Sequence, residues 1–252
     1  MAMKKRTKGN ITAPSLPGKD MLAEVNNNEA GNIYNSLFAK NRKVEYDNKD
    51  IALVNIRTNP DNQIFRAMDD DEDIRILAED IKRNGLMHNL VVFPEQEEGS
   101  TVYVLLSGER RFRALNYLQE KGDATWNIVN CNVVTTPLTE NEKKVLLYSA
   151  NLQVRGGFSD EAIRRQAIAE FITCLQREPY NMSREEALNA TKSVSTVNPR
   201  TIERDARIEE KLKGKLKTLL NDKFLTRSEC ETYLRFEADK QDEIANRFER
   251  LQ

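Results

Sequence analysis

Apolar residues recur along this chain in two rhythms that change near residue 139. Upstream, β-branched and apolar runs at 51–54, 90–93, 101–106 and 126–134 read as strands. Between them, Ile74, Leu77, Ala78 and Ile81 share one face of a helix predicted over 72–84, which Asn84-Gly85 closes with a left-handed cap. Residues 95–100 make a hairpin-like turn. Phe112, Leu115 and Leu118 set a second helix, from about Glu109 to about Glu120. The outcome is a small α+β domain over residues 44–136.

From Thr139 the period is helical throughout. Thr139 and Glu142 form a capping box at the first helix, Ser159 caps the next, and Ser183 caps a short helix predicted over 184–191. A polar turn over 192–197 follows. Asn198-Pro199 then opens another helix, with Asn as cap and Pro at the first position, where its missing N–H costs nothing. Short helix, turn, capped helix is a helix-turn-helix layout, at about 183–208 within an all-α region of 139–252. In its second helix Ile202, Ala206 and Ile208 face inward. Arg200, Thr201, Arg204 and Arg207 face outward, where arginine can read guanine with two hydrogen bonds. The competing reading is an ordinary amphipathic helix with an arginine-rich solvent face. Leu216, Leu219 and Leu220 continue the apolar stripe. The helical pattern runs to Gln252 without a cap, as expected of a chain cut within a helix or of a last helix that pairs with another chain.

Charge modifies this picture locally. The net charge of the 252 residues is −1, with 31% charged and 39% hydrophobic residues, so the chain is not a uniformly basic nucleic-acid binder. Residues 1–43 are basic and broken by proline and glycine, and read as a flexible arm with at most a short helix over 33–38. Residues 200–217 are basic again, and local patches matter more to nucleic acid than the total does. The acidic run 69–73 reads as a solvated loop. Three cysteines (Cys131, Cys174, Cys230) and one histidine (His88) are too few and too scattered for a structural zinc site or a disulfide framework. No apolar run approaches the ~18 residues of a membrane span, so a cytoplasmic protein is expected.

The chemistry concentrates at Ser107-Gly108-Glu109-Arg110-Arg111, between the strand at 101–106 and the helix it feeds. A helix N-terminus has unpaired N–H groups and partial positive charge. Gly108 lets the backbone turn tightly and a ligand approach, and Arg110, Arg111 and Arg113 add forked cations. This is the physics of a phosphate cradle. Cations here oppose the helix dipole, a cost a bound anion would offset. The alternative is again a solvated arginine face.

Taken in order, these segments resemble the ParB family of DNA-partitioning proteins, with a ParB/sulfiredoxin-like N-terminal domain and a helix-turn-helix domain. The residues that carry the resemblance are Asn59-Pro60 with Gln63, Leu77-Ala78-Glu79-Asp80-Ile81, the stretch from Gly85 to Val92, Gly108-Glu109-Arg110-Arg111-Phe112-Arg113-Ala114, Asn151-Leu152-Gln153-Val154-Arg155, and the stretch from Lys217 to Leu234. The resemblance implies a homodimer that binds a DNA palindrome and is closed into a sliding clamp by CTP with magnesium. It implies nucleotide contacts from Gly85, Leu86, Ser107, Gly108, Glu109, Arg110, Arg111, Asn151, Gln153 and Arg155, with Asn151 at the metal. It allows a ParA-type ATPase partner and a nucleoid location. Ala150 stands where the family has a glutamate, so hydrolysis of CTP is expected to be weak or absent. Val154 sets Arg155 one residue late, which turns it about 100° on a helix. Asn89 stands where the family often has proline. The alternatives are a nucleotide hydrolase or nuclease on the same fold, and a transcriptional regulator without the switch. The sulfiredoxin relatives' cysteine has no counterpart at Ser107-Gly108-Glu109.

Overall fold

The computed structural model of the chain describes residues 44–66, 70–154, 158 and 160–249. The basic arm, the short helix over 33–38, Asp69, Arg155 and Ser159 lie outside them. Five strands, β1 (Tyr46–Ala52), β2 (Ile56–Arg57), β3 (Leu90–Glu97), β4 (Ser100–Ser107) and β5 (Ile128–Val134), form one mixed sheet in the order β1-β5-β3-β4-β2. β1 pairs antiparallel with β5 and β3 antiparallel with β4, while β3–β5 and β2–β4 are parallel. Three helices belong to this part: α1 (Gln63–Arg66), α2 (Asp71–Asn84) and α3 (Glu109–Glu120).

The sheet is covered on both faces, which explains its unbroken apolar runs. Leu90, Val92, Leu105, Cys131 and Val133 bury themselves with Ile74, Ala78, Ile81, Phe112, Leu115 and Leu118 of α2 and α3. Val91, Phe93, Val104, Leu106 and Val134 point the other way, into a core shared with the helical region. That region comprises α4 (Glu140–Val154), α5 (Glu161–Gln176), α6 (Arg184–Val194), α7 (Pro199–Lys211), α8 (Gly214–Asn221), α9 (Arg227–Tyr233) and α10 (Ala238–Glu249). Ile208, Leu212, Leu216, Leu219, Leu220, Cys230 and Ala245 form a separate core under the last three helices.

Several boundaries differ from the sequence expectation. The first strand is 46–52 rather than 51–54, because β1 is an edge strand made by backbone pairing to β5 while Asp47–Asp50 stay exposed. Leu53–Asn55 is a 3-10 turn instead. The β3–β4 turn is only Glu98-Gly99, both at positive φ (46° and 82°), the backbone a two-residue hairpin demands. α6 runs three residues past Thr191, as far as the buried Val194, so the turn before α7 is short. The strand read over 126–134 starts at Ile128, after a 3-10 turn that contains Trp126. α5 is capped by Asp160, whose carboxylate accepts from the N–H groups of Ala162 (2.7 Å) and Ile163 (3.1 Å).

Candidate functional site

The turn from β4 into α3 is closed by Gly108 at φ +102°, ψ 22°. A Cβ there would stand 2.8 Å from Leu90 Cδ2 and 3.2 Å from Arg111 Nη2, so glycine is required both by conformation and by space. Gly108 also supplies no side-chain cap. The N–H groups at the start of α3 therefore have no acceptor from their own cap residue and face the turn with the helix dipole behind them.

The arginines of α3 take three different roles. Arg111 reaches back, its Nη1 donating to the carbonyls of His88 (2.5 Å) and Asn89 (2.9 Å). It thereby holds the loop after α2, which begins at Gly85 and carries the half-buried Leu86, against the start of α3. The Gly85 N–H closes α2 by donating to Ile81 O (2.8 Å), at φ 81° and ψ 173°, which is outside the left-handed helical conformation expected of it. Arg110 lies 3.8 Å from Asp73, and Arg113 Nη2 is 3.0 Å from Asp71 Oδ1.

The acidic run is consequently not a solvated loop. Asp71, Glu72 and Asp73 form the first turn of α2, capped by Asp70 Oδ1 on the N–H of Glu72 (3.0 Å). Carboxylates favour that end of a helix, and α3 presents cations to them. Arg113 is spent on this pairing between helices. Arg110, in the first turn of α3, is about half exposed and lies beside Asp73.

Glu109 is buried, with Arg66 Nη2 2.8 Å from its Oε1. That ion pair ties α1 to the turn. Asn151 approaches the same segment from α4: its Nδ2 donates to Leu147 O (2.9 Å) and to Asn62 Oδ1 (3.3 Å). Asn62 is buried, and the 3-10 turn that holds it is capped by Asn59 Oδ1 on the N–H of Asp61 (2.9 Å). Gln153, two residues on, is half-buried, and its Oε1 has no hydrogen-bond partner among the described residues. The structure thus connects Asn151 to Glu109 through Asn62 and Arg66. Sequence reasoning assigned neither of these last two a role, although both lie in or beside the Asn59-Pro60 segment that carried part of the resemblance.

Among the described residues no group of three or more histidine, cysteine, aspartate or glutamate side chains could hold a metal. The donor set fits a magnesium ion only through the Asn151 amide oxygen together with oxygens of a bound phosphate, as is usual for this ion. Ala150 is buried and contributes no oxygen.

A second candidate surface lies on α6 and α7. Ser183 and Glu186 form a capping box at α6, and Asn198 Oδ1 accepts the Arg200 N–H (2.9 Å) at the start of α7. Ile202, Ala206 and Ile208 are buried as expected, Arg200 and Arg207 are exposed, and Thr201 is half-buried. Arg204 lies across to α9: its Nε and Nη2 donate to Glu231 Oε1 (2.7 Å) and Oε2 (2.6 Å). Arg207 Nη2 donates to the same Oε1 (2.8 Å). The Arg204 fork, then Arg207, holds the Glu231 carboxyl below the usual carboxylate range against the opposing effect of partial burial.

These features define a protein with a mixed α/β domain, in which a glycine-started, arginine-bearing turn joins β4 to α3, followed by an all-helical region. Residues 37–142 match the family model of the ParB N-terminal domain. Among solved structures the chain is similar to the C-terminally truncated chromosome-partitioning protein ParB from Caulobacter crescentus complexed to the centromeric parS site, with 16% identity, 79% of this chain and 90% of that one covered, and a TM-score of 0.49. The same Caulobacter protein complexed with CTP-gamma-S matches at 18% identity over 80% and 98% of the two chains, with a TM-score of 0.35. A pNOB8-like ParB N-domain matches at 11% identity over 82% and 98%, with a TM-score of 0.47. No curated protein sequence matches.

Proposed function

We propose that this chain is a ParB-like DNA-binding partition protein in which CTP, bound with magnesium at the β4–α3 turn, controls a homodimeric clamp. The observation that carries the reading is the uncapped start of α3 at Gly108, with Arg110 beside it and the 85–89 loop held against it by Arg111. Bound CTP supplies a triphosphate whose charge the α3 N–H groups and Arg110 would neutralise. Arg111 positions the Gly85–Leu86 loop, where the base and ribose would lie. Asn151 joins the Asn59–Arg66 segment to the turn and offers its amide oxygen to magnesium. Gln153 adds an acceptor at the same end of α4.

No glutamate stands at Ala150, so water has no general base or metal-oriented carboxylate there, and hydrolysis is slow or absent. The α6–turn–α7 unit is a helix-turn-helix that binds double-stranded DNA through Arg200, Thr201, Arg204 and Arg207. A ParA-type ATPase is the partner class this role calls for.

Calorimetric titration of CTP in magnesium, with ATP, GTP and UTP as controls, tests the reading. CTP-selective binding that is lost in Arg110→Ala and in Arg111→Ala is the expected result, with phosphate release near background. Absence of binding to any nucleotide, with or without DNA, would overturn the clamp.

A further inference from the structure

The outward arginines of α7 are not presented to solvent as a row of cations. Two of the four DNA-facing positions converge on one carboxylate. Glu231, on α9, receives a two-pronged contact from Arg204 and a third hydrogen bond from Arg207. Ser228 Oγ, one turn earlier on α9, lies 3.3 Å from Arg204 Nη2. Glu231 is about a quarter exposed, Arg204 about a third and Arg207 about half, so the cluster sits at the surface where a phosphate could compete for it. Two carboxylates of α7 are paired with α6: Lys192 Nζ donates to Glu203 Oε1 (2.5 Å), and Arg184 makes a forked pair with Glu210 (2.9 and 2.6 Å). Among these pairs only Glu231 engages residues that the DNA reading requires.

Resting on the helix-turn-helix assignment, we infer that Glu231 is a specificity-determining residue: an internal stand-in for phosphate that withholds Arg204 and Arg207 from duplex of the wrong sequence. A carboxylate and a phosphate oxygen offer guanidinium the same forked acceptor geometry. Any backbone phosphate must therefore displace a contact already made, and gains little. A guanine edge at the right register adds base hydrogen bonds that phosphates cannot supply. The pairing thus weakens sequence-independent binding more than specific binding, and widens the ratio between them.

The test measures binding of the full chain and of Glu231→Gln to a random-sequence duplex and to a duplex that the wild type selects from a random library, over a range of salt. Gln keeps the side chain's size and one acceptor but removes the charge. The expected result is about tenfold tighter binding of the variant to random duplex, and a log–log salt slope steeper by about one to two phosphate contacts. Affinity for the selected duplex should change much less. In an Arg204→Ala, Arg207→Ala background the Glu231→Gln effect should vanish, which a merely structural role would not produce. A matching thermal midpoint for Glu231→Gln confirms that the fold is intact. Unchanged or weaker binding of random duplex by a folded Glu231→Gln overturns the inference while leaving the DNA-binding reading in place. Loss of specific binding alone would show that Glu231 orients Arg204 instead, and overturns it too. No binding of either duplex by the wild type overturns the helix-turn-helix assignment and the inference with it.

Discussion

A single side chain in this protein is defined as much by what it has already been given to hold as by its own chemistry. Arg110, Arg111 and Arg113 look equivalent along the sequence. The structure separates them into a cation beside Asp73, a staple for two carbonyls and a bridge to Asp71. Gly108 was legible because its demand is local: a strand, a turn and a helix start within three residues. The partners of the arginines were not, because Asp71 lies 42 residues from Arg113 and no local rule connects them. The cysteines show the same logic in reverse. Their number and spacing spoke against a disulfide framework, and the structure buries all three as free thiols. Burial pushes Cys131 up to about 12 and Cys174 and Cys230 up to about 11, from an ordinary value of 9.0. Native protein at pH 8 should therefore react slowly with a thiol reagent such as DTNB, while protein unfolded in urea should release three equivalents at once. The raised folded values also mean that the unfolded chain ionises first. Stability from these thiols is full below about pH 9 and declines as pH rises toward the folded values, so the thermal midpoint should fall in that alkaline range.

At the scale of elements, caps were the most readable feature. Thr139 with Glu142, Ser183 as a cap and Asn198 with Pro199 all stand where the sequence put them, because each is completed within a few residues, and the structure adds Glu186 as the partner that makes Ser183 a capping box. Strands were read well where both faces are buried, as in β3 and β4, and poorly in β1, whose polar edge sequence pairs through its backbone. The Ser183 box bears directly on the DNA-binding reading, since it fixes the entry to α6 and hence the turn that aims α7. Ser183→Ala removes an acceptor from the Glu186 N–H and should cost about 1 kcal/mol in urea denaturation. On the proposed function it should leave the nucleotide affinity of the β4–α3 turn unchanged, with any effect on DNA binding following the loss of helix order. A loss of several kcal/mol would show that Ser183 does more than cap.

Across the whole molecule, the boundary visible in the sequence at residue 139 is a change of period rather than a break in packing. The face of the sheet that carries Val91, Phe93, Val104, Leu106 and Val134 shares one core with Val145, Leu146 and Leu147 of α4, with Ala167, Ile168 and Phe171 of α5, and with Ala187 and Ile202 of α6 and α7. Phe65 of α1 packs edge-on against Tyr148 of α4, ring centres 5.8 Å apart. The β4–α3 turn is thereby linked to α4 along the 62–66 segment, through Arg66 on Glu109 and Asn62 on Asn151. Beyond α7 the last helices have their own core, tied to α5 by polar contacts: Arg165 with Glu209 of α7 (3.5 Å) and Asn221 of α8 (2.6 Å), and Arg164 with Asp205 of α7 (2.7 Å). This arrangement predicts how the protein unfolds. Phe171, fully buried in the shared core, should cost about 3–5 kcal/mol when replaced by alanine. The chain's one tryptophan, Trp126, packs on the opposite face of the sheet, against the α2–α3 core. If sheet and helices form one cooperative unit, Phe171→Ala should shift the tryptophan fluorescence transition and the helical circular dichroism transition in urea by the same amount. A shift in the dichroism alone, with fluorescence unmoved, would mean that the α/β domain stands by itself and that this shared core does not couple the β4–α3 turn to α6 and α7.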